Sequence, residues 1–333
     1  MYMLEEVDLS HSYLYNCPDL SRTTYKKINL SNNRIRVLWN DNLPDSAEEL
    51  DIHSNRLLDD GLLPIWPDNI HALNLSYNMF TTLTNIIHWP LHLRTLDISY
   101  SMLEGALPAL PDSIEVLNVS NSYIRSIHTL PRNLLKLDAS TTLIMSLPYR
   151  MPDNIVNVNV AESKLKNSGL PKFWGSKLQT LNLRYNKLRH LPQNLPETLL
   201  ELNVSNNFIQ EISKPIPNSV EYLNISSNHL MILPGWLLQR ATLKSILHYN
   251  YLVYVPIGDN IIASFGQWVG ERHIQAAQII GRNWKRLRLR RRLRAYYKNA
   301  QLKFPLLDHV LHPERIERFG SRWGQDHFYQ LLY

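Results

Sequence analysis

Side chains able to do chemistry are few in this 333-residue chain, and they are poorly grouped. His88 with His92, and His309 with His312, have spacings that suit a metal ion. Neither pair has a third ligand in a suitable frame, so solvated or packed histidines are expected and no metal or other cofactor is predicted. Asp59 and Asp60 form a carboxylate pair of the kind used in general acid–base catalysis, but they sit in a turn-like segment where solvated roles are the rule. Glycine-rich phosphate loops, HExxH and GxSxG do not occur. Cys17 is the single cysteine, which rules out an intrachain disulfide framework and a four-cysteine zinc site and fits a reducing compartment. The residues therefore predict a chain that is not an enzyme.

The densest chemistry is cationic. Between Gly270 and Ala300 there are ten Lys or Arg against one Glu, a local balance near +9, which leaves the rest of the chain near −3. Ile274, Ala277, Ile280, Trp284 and Leu287 follow helical spacing, while Arg282, Lys285, Arg286, Arg288, Arg290, Arg291, Arg292 and Arg294 fill most of the other faces. A basic amphipathic helix reads as a calmodulin-type target, a membrane-surface element or a nucleic-acid patch. The phrase AAQIIGRNWKR, Ala276 to Arg286, is similar to the IQ motif, with Ile280, Arg282, Trp284 and Lys285 at matching positions. That resemblance implies a calmodulin-like EF-hand partner, with Ile280 and Trp284 in its apolar pockets and Arg282 at its acidic rim. Gly281 stands where the motif has glutamine and weakens the helix by roughly 1 kcal/mol against alanine. Three other roles compete: a cap on the last repeat, nuclear targeting or phosphate contact through KRLRLRRRLR, and attraction to an anionic membrane.

What carries that segment is a repeat. The phrase L-N-h-S, with h apolar, begins at Val7, Ile28, Leu50, Leu73, Leu96, Leu117, Leu137, Val158, Leu181, Leu202 and Leu223, with a degenerate copy at Ser245. The steps are 20–23 residues, inside the leucine-rich-repeat range. Apolar residues alternate about each anchor, as in a short strand with one buried face. One such unit cannot bury its apolar side alone, whereas about twelve stacked units can. The expected fold is an α/β-type solenoid, a leucine-rich-repeat horseshoe over residues 1–255 with a parallel concave sheet and an extended, proline-bearing convex side. Residues 256–333 follow as the basic amphipathic helix and a short helical tail.

Five residues after the anchors stand Asn33, Asn55, Asn78, Asn186, Asn207, Asn228 and Asn250. An amide there offers donors and an acceptor to the backbone of adjacent turns. The middle turns carry Ser101, Ser122, Thr142 and Ser163 instead, and a locally softer middle is expected because a hydroxyl has one donor and a shorter reach. Prolines recur in LPDS, LPRN and LPQNLPET phrases and predict extended return segments.

Two phrases, LPDSIEVLNVSNSYI from Leu110 and LPQNLPETLLELNVSNNFI from Leu191, resemble the short proline-containing repeats of bacterial type-III effectors. The resemblance implies an intracellular scaffold or effector that binds protein, of bacterial or large-DNA-virus origin. The ubiquitin-ligase activity of some such effectors does not carry over, because no cysteine follows Cys17. Concave columns of Asn/Asp and Ser look like framework; the exceptions Tyr77, Tyr100, Arg184, Tyr185, Tyr222 and Tyr249 are the candidate partner contacts. N-x-S sequons at Asn29, Asn74, Asn118, Asn203 and Asn224 are by-products of the repeat phrase. No secretory signal or apolar span is read, so a cytoplasmic monomer is expected, with nuclear entry as an alternative.

Overall fold

The computed structural model describes residues 5–250, apart from 232, 239 and 241. The basic segment from Ile280 to Arg294 and the expected boundary at residue 255 lie outside the described residues. The strands are β1 (Glu6–Asp8), β2 (Lys27–Asn29), β3 (Glu49–Asp51), β4 (Ala72–Asn74), β5 (Thr95–Asp97), β6 (Glu104–Leu107), β7 (Val116–Asn118), β8 (Tyr123–Ile127), β9 (Lys136–Asp138), β10 (Asn157–Asn159), β11 (Thr180–Asn182), β12 (Glu201–Asn203), β13 (Tyr222–Asn224) and β14 (Lys244–Ile246). Twelve of them form one parallel sheet in chain order, skipping β6 and β8. The architecture is a parallel-sheet solenoid that matches a leucine-rich-repeat horseshoe, with eleven complete coils between the first and last strands of that sheet.

Every repeat anchor falls at the middle of its strand, and the pairing keeps the anchors in register: Ile28 opposite Leu50, Leu73 opposite Leu96, Leu181 opposite Leu202. Anchors and the apolar residues two after them are buried from Ile28 and Leu30 to Leu223 and Ile225, so the core is a continuous column along the inner side of the sheet. Side chains before and after each anchor face outward, as the two-residue period demands.

The described residues fall into two compact units. The first contains all fourteen strands. The second contains the short helix α1 (Gly235–Leu238) and the His248–Asn250 turn.

The return side departs from the expected extended ribbon in two ways. First, the prolines open turns: the carbonyl of Pro44 accepts from Ala47 N–H, and Pro111, Pro131, Pro152, Pro196 and Pro217 do the same for the residue three further on. Each such turn ends on a buried residue three before the next anchor, so the LPDS phrase aims the chain into the following strand. Second, β6 and β8 pair in parallel as a separate two-stranded sheet, extended by a Ser126–Ser146 bridge. Short 3-10 turns at Asn40–Asn42, Asp59–Gly61 and Asn167–Gly169 fill longer coils. Gly61 and Gly169 are required there, since a Cβ would stand 2.0 Å from the carbonyl oxygens of Arg36 and Met145 in the preceding coil.

The asparagine ladder works between coils. Asn207 donates to the carbonyls of Leu183, Val204 and Ser205, and its Oδ1 accepts from Leu188 N–H at 2.9 Å. Asn33, Asn55, Asn78 and Asn186 repeat this bridge, Asn250 accepts from Leu230 N–H, and Asn228 is buried. In the middle coils the Ser101 and Ser122 hydroxyls donate to Ile98 and Val119 within their own coil, and Thr142 pairs with Ser163 at 2.9 Å. The β6–β8 pair lies in this same stretch, where the amide bridge is missing.

Candidate functional site

The sheet face is largely occupied by its own bonding. From β1 to β13 of the main sheet the Asn or Asp after the anchor accepts the N–H two residues on, as Asp8 does from Ser10, Asn74 from Ser76, Asp97 from Ser99 and Asn203 from Ser205. Neighbouring coils are laced by Asn118 to Asp97 at 2.9 Å and Asn159 to Asp138 at 3.0 Å. The serine column expected on the face is mostly buried, including Ser31, Ser76, Ser120 and Ser205. Backbone donors must be satisfied, and these side chains satisfy them, so the column serves the fold. The sequon asparagines belong to this set.

The candidate tyrosines lie elsewhere than the sequence columns suggested. Tyr77, Tyr100, Tyr185 and Tyr249 each stand four residues after an anchor, past the strand end, with φ between 50° and 54°. The same corner recurs at Asn32, Ser54, Asn121, Thr141, Glu162, Asn206 and Ser227. Left-handed backbone suits Gly and Asn and costs other residues on the order of 1 kcal/mol. Tyr77 and Tyr100 are about half exposed and stack with centroids 4.0 Å apart and planes 8° from parallel. The neighbouring Tyr100 phenol holds the Tyr77 hydroxyl above the usual phenol range, with partial desolvation adding to it. Arg184 covers Tyr185 at 4.6 Å. Tyr222 opens β13 and is half-buried on the sheet face. Tyr249 belongs to the second unit and meets His248 edge-on. The structure therefore brings Tyr77 and Tyr100 together and leaves Arg184 with Tyr185 as a separate pair.

Outward residues four, six and eight positions after the anchors form a ribbon along the coil corners. Its centre is Tyr77, Met79, Tyr100, Met102 and Tyr123, all between 42% and 58% exposed. Basic residues flank it on both sides: Arg34, Arg36 and Arg56 before, then Arg125, Lys164, Lys166, Lys187 and Arg189 after. Glu104 and Glu162 are the acidic residues of the ribbon. Arg34 is sandwiched near Tyr13 and Tyr15, with ring distances of 5.5 and 5.4 Å. The methionines were invisible to column reading because they lie six residues past the anchor, outside the strand.

At the opposite end of the strands, exposed ion pairs run across coils: Lys26 with Glu5 and Glu48, Lys27 with Glu6 and Glu49, Arg94 with Glu115. A shallow open groove there is lined by Lys26, Glu48, His71, His92 and Arg94. Surface pairs of this kind contribute little each. His88 and His92 are exposed, and among the described residues no three metal-ligating side chains come together. Asp59 is a part-exposed carboxylate that also binds Thr81 and Thr82 of the next coil. Among the described residues no helix is long and apolar enough to cross a membrane.

The Leucine Rich Repeat family profile matches residues 177–197. Human oligodendrocyte-myelin glycoprotein is 36% identical over 132 residues, covering 40% of this chain and 26% of that protein. YopM from Yersinia enterocolitica superposes with a TM-score of 0.62 at 25% identity, covering 77% of this chain and 58% of the other. YopM from Yersinia pestis, described as a leucine-rich effector protein, gives 0.54 at 24% identity, covering 76% and 79%. The chain thus spans about a quarter of the myelin glycoprotein it matches.

Proposed function

We propose that this chain of leucine-rich repeats is a non-catalytic, intracellular protein-binding scaffold or effector that engages its partner through side chains displayed by the solenoid. One observation carries the reading: Tyr77 and Tyr100 are held half-exposed at left-handed corners, where tyrosine is costly, while the sheet face between strands is spent on internal hydrogen bonds. Exposed aromatic residues on a rigid frame are typical anchors of protein interfaces. The Yersinia pestis neighbour's description as an effector supports the same direction. A free, buried Cys17 is consistent with a reducing compartment. The test is site-specific photo-crosslinking of the full chain, with the crosslinker at Tyr100 or Tyr185, in cells that express it. Discrete protein adducts are expected, and their absence at both positions defeats the reading.

The C-terminal pattern supports a second contact. Ile280, Arg282, Trp284 and Lys285 match a helix that an EF-hand lobe would enclose, and we infer a calmodulin-like partner for it. Retention of the full chain on immobilised calmodulin, lost with Trp284→Ala and Arg282→Ala, is the expected result; no retention with or without calcium defeats it. The high charge of the same segment favours one alternative, phosphate or anionic-lipid binding. That alternative requires heparin retention that weakens steeply with salt and disappears when Arg290, Arg291 and Arg292 are replaced.

A further inference from the structure

The corner ribbon has an arrangement that neither the repeat nor the ion-pair pattern requires. Three successive coils present Tyr77, Met79, Tyr100, Met102 and Tyr123 to solvent. Other coils also carry exposed apolar side chains at these positions, among them Tyr13, Tyr15, Leu58, Met145, Tyr185 and Phe208, but here two tyrosines stack and two methionines stand on adjacent coils, which groups the exposed apolar surface. Methionine and tyrosine are adaptable interface residues, and a large exposed cluster of them marks a contact surface. Arg56 stands in the coil before this centre and Arg125 in its last coil. Coils repeat at the spacing of parallel strands, about 4.8 Å, so Arg56 and Arg125 are separated along the solenoid by roughly 14 Å, about four residues of extended chain. Arg34 and Lys164 continue the positive charge outward on either side.

We propose that this ribbon is the docking surface for an acidic protein segment with a short apolar centre, the apolar residues meeting Met79, Met102 and the tyrosine stack and the flanking carboxylates meeting Arg56 and Arg125. It rests on the protein-binding reading above and assigns the place and the partner's chemistry. Charge complementarity selects the occupant: the ribbon carries eight basic residues against Glu104 and Glu162, although the chain outside its C-terminal segment is net acidic. A protein segment fits better than a nucleic acid. The Tyr77 and Tyr100 rings already stack on one another at 4.0 Å, leaving no slot for a base between them, and a methionine pair gives a phosphate backbone no partner.

The experiment is fluorescence anisotropy with the full chain and a labelled peptide of three Glu, Leu-Phe-Leu and three Glu. Two comparison probes are the same peptide with Ser-Gly-Ser at its centre and a nine-residue oligothymidylate. The first peptide is expected to bind. Its affinity should fall at least about ten-fold in Met79→Ser/Met102→Ser and in Arg56→Glu/Arg125→Glu, with unchanged circular dichroism and melting. The Ser-Gly-Ser peptide should bind at least about ten-fold more weakly than the first. Equal binding of the two peptides, stronger binding of the oligothymidylate, no binding, or binding that ignores both double variants and vanishes with replacement of Arg290 to Arg292 overturns the proposal. Crosslinked adducts at Tyr100 or Tyr185 that persist in both double variants would defeat the ribbon and leave the scaffold reading standing.

Discussion

The Asp59 carboxylate grips Thr81 of the next coil twice, accepting its N–H at 2.6 Å and its hydroxyl at 2.7 Å. Thr82 N–H adds a third bond at 3.0 Å. Burial raises the Asp59 pKa, but these bonds outweigh it and the net shift is downward from 3.8. A depressed folded-state pKa gives stability that is complete above the unfolded value and is lost as pH falls through the folded one. Asp59→Asn should therefore destabilise the chain near neutral pH by about 1 kcal/mol, discounted for partial exposure. Urea unfolding should show the difference shrinking as pH drops below about 4, because the native chain then loses its own carboxylate.

Glycine substitutions should separate sharply by site. Gly61→Ala and Gly169→Ala drive a methyl to 2.0 Å from a backbone oxygen of the preceding coil, and each should cost about 3 kcal/mol. Gly235→Ala meets nothing within 4 Å at the start of α1 and should be neutral or stabilising by about 0.5 kcal/mol. Thermal melts of the three variants check this; equal losses would contradict the packing described.

Asn207→Ser should remove the inter-coil bonds to Leu183 and Leu188 while keeping a short hydroxyl reach to its own coil. Leaving a buried carbonyl and N–H unbonded should cost about 2 kcal/mol. The Leu188 amide should exchange with deuterium faster in the variant, a local readout that a general loss of stability would not single out.

Hydrogen exchange of the native chain should show the corners after Ser101 and Ser122 opening more readily than those after Asn186 and Asn207. The β6–β8 amides beside them should stay protected. Uniform protection across all coils would contradict the contrast between hydroxyl and amide bridges.

Burial pushes the Cys17 thiol up to about 11, against a smaller opposing effect of Asn42. Thiolate is the reactive form, so iodoacetamide at pH 8 should label the folded chain at least about 100-fold more slowly than the unfolded chain. Comparable rates would show that the first coils open freely.

Anchors, core columns and the asparagine ladder were legible because each is dictated by the repeat period: a residue at Leu202 or Asn207 has one place to go once twelve copies are aligned. The second sheet was not. Its strand Glu104–Leu107 reads EGAL, includes Gly105 at φ 79°, and has no apolar alternation. The left-handed corners were hidden because Tyr, Thr, Glu and Ser fill them in place of the glycine that normally announces such backbone. Proline phrases suggested extended chain, yet the carbonyl of Pro111 or Pro196 closes a turn, a fact held by the acceptor and invisible in the ring. Asp59 looked solvated because its partners stand 22 and 23 residues later. Of the candidate contacts, Tyr77, Tyr100, Tyr185 and Tyr249 stand one position past the expected column, on the corner, in the same ribbon as Met79 and Met102.

In-register pairing has a hereditary consequence. Leu50 faces Leu73 as Leu181 faces Leu202, with no offset at any junction of the main sheet. Unequal crossing-over between two repeats therefore joins sequences whose edges already match, and the descendant gains or loses a whole coil without a mismatched seam. Length in such a lineage moves in steps of 20–23 residues. The exceptions are junctions tied by private bonds, such as Asp59 with Thr81, where recombination would strand one partner and selection would be expected to keep the neighbours together.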